Sequence, residues 1–329
     1  MPNWVGDAVM ALPAVRALKE AFPEAILSAS APNHIWSLFE NGDLISSTFE
    51  TPGGKGAREW LAEMEFRRKI KREAFDVVIL FPNSFEAAAR VWGVGIPLRI
   101  GYEGDVRSFM LTCTLSKTDA LLREHMITYY LNLLSPLGVC AATKVPAVSL
   151  TEESERFAAE FIEKNRSKRE STLFALGVGT AYGTAKIWSA GYFTQVANTL
   201  IEKYDAEIVL TGSAAEMENA ERLGKSMTRR PLISASSLIN SAAILSRCRG
   251  FVGNDSGLLH IAAATGISTI GLYFATNPER NYPVGKNAHY IAKRIHCAYC
   301  GVRVCPLGTR ECATAITPED VMAKFDEIL

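Results

Sequence analysis

The hydrophobic positions in the second half of the chain fall into short runs: Thr172–Val178, Glu207–Gly212, Leu232–Ala235, Gly250–Asn254, Ser268–Phe274 and His289–Ala292. Each run is rich in β-branched residues, bounded by polar or glycine positions, and too short for a helix, so each predicts a β-strand. Between them lie stretches with helical spacing, such as Tyr192–Tyr204 and Ala215–Met227. Strands alternating with helices of that length predict βαβ units and a parallel sheet. The first half repeats the theme more loosely, with strand candidates Ile26–Ser30, Val77–Phe81 and Leu98–Gly101. Near its start, Ala11, Val15, Leu18 and Phe22 mark one face of a helix. The charged stretch Glu152–Glu170 predicts a helix that leads into the second half. The expected fold class is α/β, with two Rossmann-like domains (residues 1–150 and 151–329) facing a cleft.

Composition narrows the function classes. A chain of 329 residues has room for two domains, each with its own core. Hydrophobic content of 48% and charged content of 21% are ordinary for a globular protein. Lys plus Arg and Asp plus Glu both count 35, and this balance argues against a general nucleic-acid binder. No apolar run approaches the roughly 18 residues that span a bilayer, and no signal-peptide pattern is present, so a cytoplasmic protein is expected. Seven cysteines, an odd number, fit reduced thiols better than a disulfide framework.

Candidate chemistry concentrates at three places. The run Gly250–Asn254 ends in Asp255-Ser256-Gly257-Leu258-Leu259-His260, which reads as a strand, a turn and the start of a helix. That geometry offers backbone N–H groups and a positive helix end to an anionic ligand. Asp255 can receive hydroxyls, Ser256 and Gly257 can offer amides to a phosphate, and both Asp255 and Ser256 are also ordinary helix caps. His260 in the following helix fits a satisfied core histidine as well as a ligand. Lys186, in the loop after Thr172–Val178, stands where ligands bind in open α/β sheets, and a compact ammonium suits a diphosphate. Trp188 reads as a core anchor. Asp7 precedes a helical pattern and is either an N-cap or a base projecting from a turn. Thr211-Gly212-Ser213 ends a strand before Glu216, which can hold ribose hydroxyls or serve as a first-turn helix residue. Leu238, after the next strand, can pack on a nucleobase.

Read together, Pro2-Asn3-Trp4-Val5-Gly6-Asp7, Gly183-Thr184-Ala185-Lys186-Ile187-Trp188 and Asn254-Asp255-Ser256-Gly257-Leu258-Leu259-His260 resemble the ADP-heptose:lipopolysaccharide heptosyltransferase family, glycosyltransferase family 9. That family shows P-x-W-x-G-D, G-x-A-K-x-W and N-D-S-G-L-x-H in this order, and the chain resembles its heptosyltransferase II branch most. The resemblance implies a GT-B architecture, an acceptor-binding domain over 1–150 and a donor-binding domain with a C-terminal helix over 151–329. It implies an inverting transferase needing no metal or other cofactor, with ADP-heptose as donor and a heptose of the lipopolysaccharide inner core as acceptor. On that resemblance Asp7 is the base, Lys186 meets the diphosphate, and Asp255 and His260 join the donor site. The family starts with a strand before P-x-W-x-G-D that is absent here, so a natural start upstream of Met1 is expected. Two rival readings remain at this point: another nucleotide-sugar transferase or epimerase of the same architecture, and a degenerate donor-binding module.

Two further clusters complete the candidates. Arg67-Arg68-Lys69-Ile70-Lys71-Arg72 is the densest basic run. It reads as a solvated helix face, with Arg67, Arg68 and Lys71 as weaker candidates for the phosphorylated acceptor or for peripheral contact with the inner membrane. Cys297, Cys300, Cys305 and Cys312 have spacing that admits a structural zinc site, although free cysteines are the commoner reading.

Overall fold

The computed structural model describes residues 1–39, 44–54 and 56–329, and nothing of the Ala57 side chain. The chain divides into two compact units, Met1–Lys144 and Val145–Leu329.

The second unit is built on one six-stranded parallel sheet. Its strands are β6 (Leu173–Gly177), β7 (Glu207–Gly212), β8 (Leu232–Ala235), β9 (Gly250–Asn254), β10 (Ser268–Tyr273) and β11 (Ala288–Ala292). They lie side by side in the order β11-β10-β9-β6-β7-β8. The chain therefore steps from β6 outward to β8, returns across the sheet, and steps outward again from β9 to β11. The reversal leaves a topological switch point between the carboxyl ends of β6 and β9, where open α/β sheets bind ligands. Every residue of β6, β9 and β10 is buried, as expected of central parallel strands covered on both faces. The core beneath joins Phe174, Leu176, Ile208, Val252 and Ile270 to Phe193 and Val196 of helix Ala190–Tyr204, and to Phe325 of helix Pro318–Ile328.

The charged helix entering this unit is shorter than predicted. It spans Glu152–Asn165, opened by a Thr151–Ser154 capping box. It stops at Arg166, whose guanidinium turns back to the carbonyls of Lys168 and Ser171. The predicted helix Ala215–Met227 likewise begins with a 3-10 turn at Ala214–Glu216 and is α-helical over Met217–Gly224.

The first unit holds two smaller parallel sheets. One pairs β1 (Ser28–Ala31) with β2 (Ser47–Glu50). The other runs β3 (Val77–Leu80), β4 (Leu98–Tyr102), β5 (Cys113–Leu115). Helix Val5–Ala21 supplies much of this unit's core through Ala8, Val9, Leu12 and Val15, and packs on helix Met126–Asn132.

Candidate active site

At the switch point, the loop after β6 and the turn after β9 meet through their polar side chains. Lys186 lies in a 3-10 turn, Thr184–Lys186, and its Nζ stands 2.5 Å from Oδ2 of Asp255. Both side chains are largely withdrawn from solvent, 13% and 6% exposed, so their attraction is weakly screened. Asn254, the residue before Asp255, stitches the same two segments. Its Oδ1 accepts from the Trp188 amide at 2.9 Å and its Nδ2 donates to the Val178 carbonyl at 2.9 Å. Trp188 is buried at 1% exposure and donates its indole N–H to Ile316, which bears out the core-anchor reading. Asn281 adds a third support, with Nδ2 3.4 Å from Oδ1 of Asp255. Its carbonyl accepts the Tyr273 hydroxyl at 2.6 Å. Burial, aided by the nearby Asp255 carboxylate, holds the Tyr273 phenol well above its ordinary range, so it remains a donor.

The turn after β9 opens helix Gly257–Ala264 without a side-chain cap. Ser256 occupies the N-cap position with extended backbone, and its hydroxyl makes no capping bond. Asp255 spends its carboxylate on Lys186 and Asn281 instead. Neither residue is thus tied up as a cap, and the amides that open the helix keep their positive end. His260 is buried in the same helix at 4% exposure.

Glu216 is brought to this edge of the sheet through the loop after β7. Its carboxylate closes a capping box on Ser213, accepting from the amide at 2.9 Å and from the hydroxyl at 2.8 Å. A small crevice at the carboxyl ends of β6 and β7 is lined by Gly177, Gly179, Thr211, Glu216 and Ser256. Gly179 is required there, because a Cβ at that position would fall 1.7 Å from Oε1 of Glu216. Leu238 opens helix Leu238–Leu245 just past β8, half-buried, on the same carboxyl edge.

Asp7 belongs to the first unit. It is not an N-cap: that position is Trp4, and Asp7 sits in the first turn of helix Val5–Ala21. An acidic side chain is favoured there by the helix dipole. Its Oδ1 accepts the Tyr130 hydroxyl at 2.9 Å, a contact across 123 residues. Tyr130 is buried and its ring lies against Phe81 and Tyr129. The neighbouring Tyr129 hydroxyl accepts from Asn83, whose Oδ1 in turn faces the fully buried Arg107. Burial lowers the Arg107 guanidinium from its ordinary value, and three carbonyls of its surroundings, of Tyr102, Pro82 and Ser84, take its donors.

Residues 64–310 match the profile described as glycosyltransferase family 9 (heptosyltransferase). The chain belongs to glycosyltransferase family 9. This family 9 chain is 25% identical to lipopolysaccharide heptosyltransferase 2 of Escherichia coli (strain K12), over 100% of this chain and 97% of that protein. It is similar in structure to E. coli ADP-heptose lps heptosyltransferase II, with a TM-score of 0.83 at 22% identity over 99% of this chain and 96% of that one. The glycosyl transferase family 9 structure from Veillonella parvula DSM 2008 gives 0.82 at 20% identity, over 100% and 95%. The architecture is GT-B, and the protein is a glycosyltransferase.

The remaining candidates of this family 9 enzyme are the basic helix of the first unit and the cysteines. Arg67, in helix Ala57–Glu73, turns its guanidinium onto the last carbonyls of helix Phe85–Val91 and beyond: Ala89, Arg90 at 3.3 Å and Trp92 at 2.6 Å. It is a C-terminal cap for a neighbouring helix. Arg68 and Lys71 are exposed. All seven cysteines are free thiols. Backbone N–H groups, that of Arg310 foremost, pull the Cys305 thiol below its ordinary range. Burial and then the neighbouring Cys297 push Cys312 above it. Among the described residues, no group of three or more His, Cys, Asp or Glu side chains is arranged to hold a metal. Nor is any helix among them long and apolar enough to cross a membrane.

Sequence reasoning missed Tyr130, Asn281 and the direct Lys186–Asp255 pairing. Nothing local marks them, since each contact joins segments far apart in the chain.

Proposed function

We propose that this enzyme transfers L-glycero-D-manno-heptose from ADP-heptose to a heptose of the lipopolysaccharide inner core, inverting the anomeric centre. The observation that carries the chemistry is the buried Lys186–Asp255 pair at the switch point of the second unit's sheet. Full-length likeness to a lipopolysaccharide heptosyltransferase 2 supports the choice of sugar and acceptor class.

An ammonium has three donors and a carboxylate about four acceptor sites, so the pair retains capacity for a ligand after satisfying itself. Asp255 takes the hydroxyls of the donor sugar on its remaining lone pairs. Lys186 and the amides of Ser256 and Gly257 meet the diphosphate, Glu216 holds the ribose, Leu238 packs on adenine, and His260 completes the donor site. The acceptor hydroxyl gives its proton to the Asp7 carboxylate as its oxygen attacks the anomeric carbon. The bond from that carbon to the diphosphate oxygen breaks on the opposite face, and ADP leaves carrying the electron pair. Lys186 and the helix amides offset the charge that develops on it, the kind of stabilisation that preorganised donors supply best.

The exposed Arg68 and Lys71 offer a basic face to anionic headgroups at the cytoplasmic side of the membrane that holds the acceptor, while Arg67 is spent on carbonyls. Replacing both by Ala is expected to weaken sedimentation with anionic vesicles and to leave ADP affinity unchanged.

Product analysis tests the function. Incubation with ADP-heptose and a heptose-terminated inner-core oligosaccharide is expected to add the mass of one heptose, with an anomeric configuration opposite to the donor's by NMR. No added mass, or transfer from a different nucleotide sugar only, would replace this reading with another transferase activity.

A further inference from the structure

The cysteine-bearing tail of the second unit touches the Lys186 loop at four points. Arg303 gives its carbonyl to the Ala185 amide at 3.0 Å, one residue before Lys186. Gly301 gives its carbonyl to the Tyr182 hydroxyl at 2.7 Å. The Tyr182 ring has the Lys186 ammonium 4.4 Å from its centroid and the Arg303 guanidinium 5.2 Å from it. Gly183, at φ +150°, passes so near the Arg303 carbonyl that a Cβ would lie 2.4 Å from its oxygen. The other end of this tail segment is sewn to the end of β10, by Tyr299 N–H to Phe274 at 3.0 Å and Gly301 N–H to Ala275 at 2.8 Å. Residues 299–303 thus bridge the sheet edge and the loop that carries the cation.

We propose that Tyr182, anchored by the Gly301–Arg303 backbone, is a positioning residue for Lys186. A lysine stem is long and rotamer-rich, and one carboxylate alone fixes its ammonium from one side only. The aromatic ring supplies a second, electrostatically favourable contact, and the ring is itself held by its hydroxyl. The tail that looked in sequence like a separate metal candidate thereby becomes part of the support for the reacting centre. This inference rests on the reading that Lys186 meets the leaving diphosphate.

Two measurements test it. In acceptor-dependent ADP release, Y182L is expected to lower kcat by roughly tenfold, the scale of a lost desolvated cation–π contact, with a smaller change in donor KM. Y182F keeps the ring but loses its hydroxyl anchor on Gly301, and is expected to recover part of that loss. In a K186A background Y182L should add no further loss, because residues acting as a unit are not additive. An equal further drop in that background would overturn the positioning role. The second measurement needs no substrate: amide exchange at Ala185 is expected to quicken in Y182L and in G183A, which crowds the Arg303 carbonyl. Unchanged exchange in both would show that the tail does not hold the loop. If wild type releases no ADP with acceptor, the heptosyl reading fails, while the exchange result still decides the strut.

Discussion

The two units hold the groups proposed to react through different contacts. In the second, Lys186 and Asp255 are opposite charges, both largely buried, that satisfy each other at 2.5 Å between two loops of a single sheet. In the first, the Asp7 carboxylate sits at the dipole-favoured end of a helix and takes its long-range support from a neutral donor, the Tyr130 hydroxyl. A charge pair makes each partner's environment depend on the other. A hydroxyl donor orients a carboxylate oxygen.

That contrast is broken most severely at the ion pair. K186A leaves a buried carboxylate without its partner, so stability is expected to fall by about 3–5 kcal/mol along with a loss of activity. Loss of a donor at a developing anion adds a fall in kcat of about 10²–10³-fold. Thermal unfolding and steady-state kinetics check the two effects separately. The K186M/D255L double variant sharpens the point: replacing both charges by apolar groups is expected to recover much of the stability and none of the activity. A double variant as unstable as the single one would mean that the pair's hydrogen bonds, and not its unpaired charge, carry the cost.

D7N comes next. It keeps the shape of the side chain and removes the base, so a fall in turnover of about 10²–10⁴-fold is expected with a nearly unchanged melting temperature. Y130F should be milder, since a hydrogen bond to an ionised carboxylate is worth about 1.5–3 kcal/mol, or roughly tenfold to a hundredfold in rate. A Y130F effect as large as that of D7N would show that the tyrosine does more than orient. The smallest expected effect is that of R67A, which uncaps the end of helix Phe85–Val91. About 1 kcal/mol of stability should be lost, with turnover unchanged.

The same contrast explains what could be read from the sequence. Strands β7, β8 and β9 match their predicted bounds residue for residue, because apolar runs flanked by turn residues have little choice in a parallel sheet. The turn after β9 and the loop of Lys186 were also visible, as local motifs at strand ends. In the first unit β2 is the polar run Ser-Thr-Phe-Glu and β5 is three residues long, so neither carries a hydrophobic signature. Asp7 was visible by position, but Tyr130 was not, since its contact spans 123 residues. Arg67 misled for a related reason: its place in a basic run hid the carbonyls it reaches across the fold.

The most direct test of the account measures ADP release and ADP affinity side by side for wild type and D7N. ADP release from ADP-heptose is predicted to require a heptose-terminated inner-core acceptor, and D7N is predicted to lose that release while binding ADP as wild type does. Acceptor-independent release by wild type, or a D7N variant that still transfers at the wild-type rate, would contradict it.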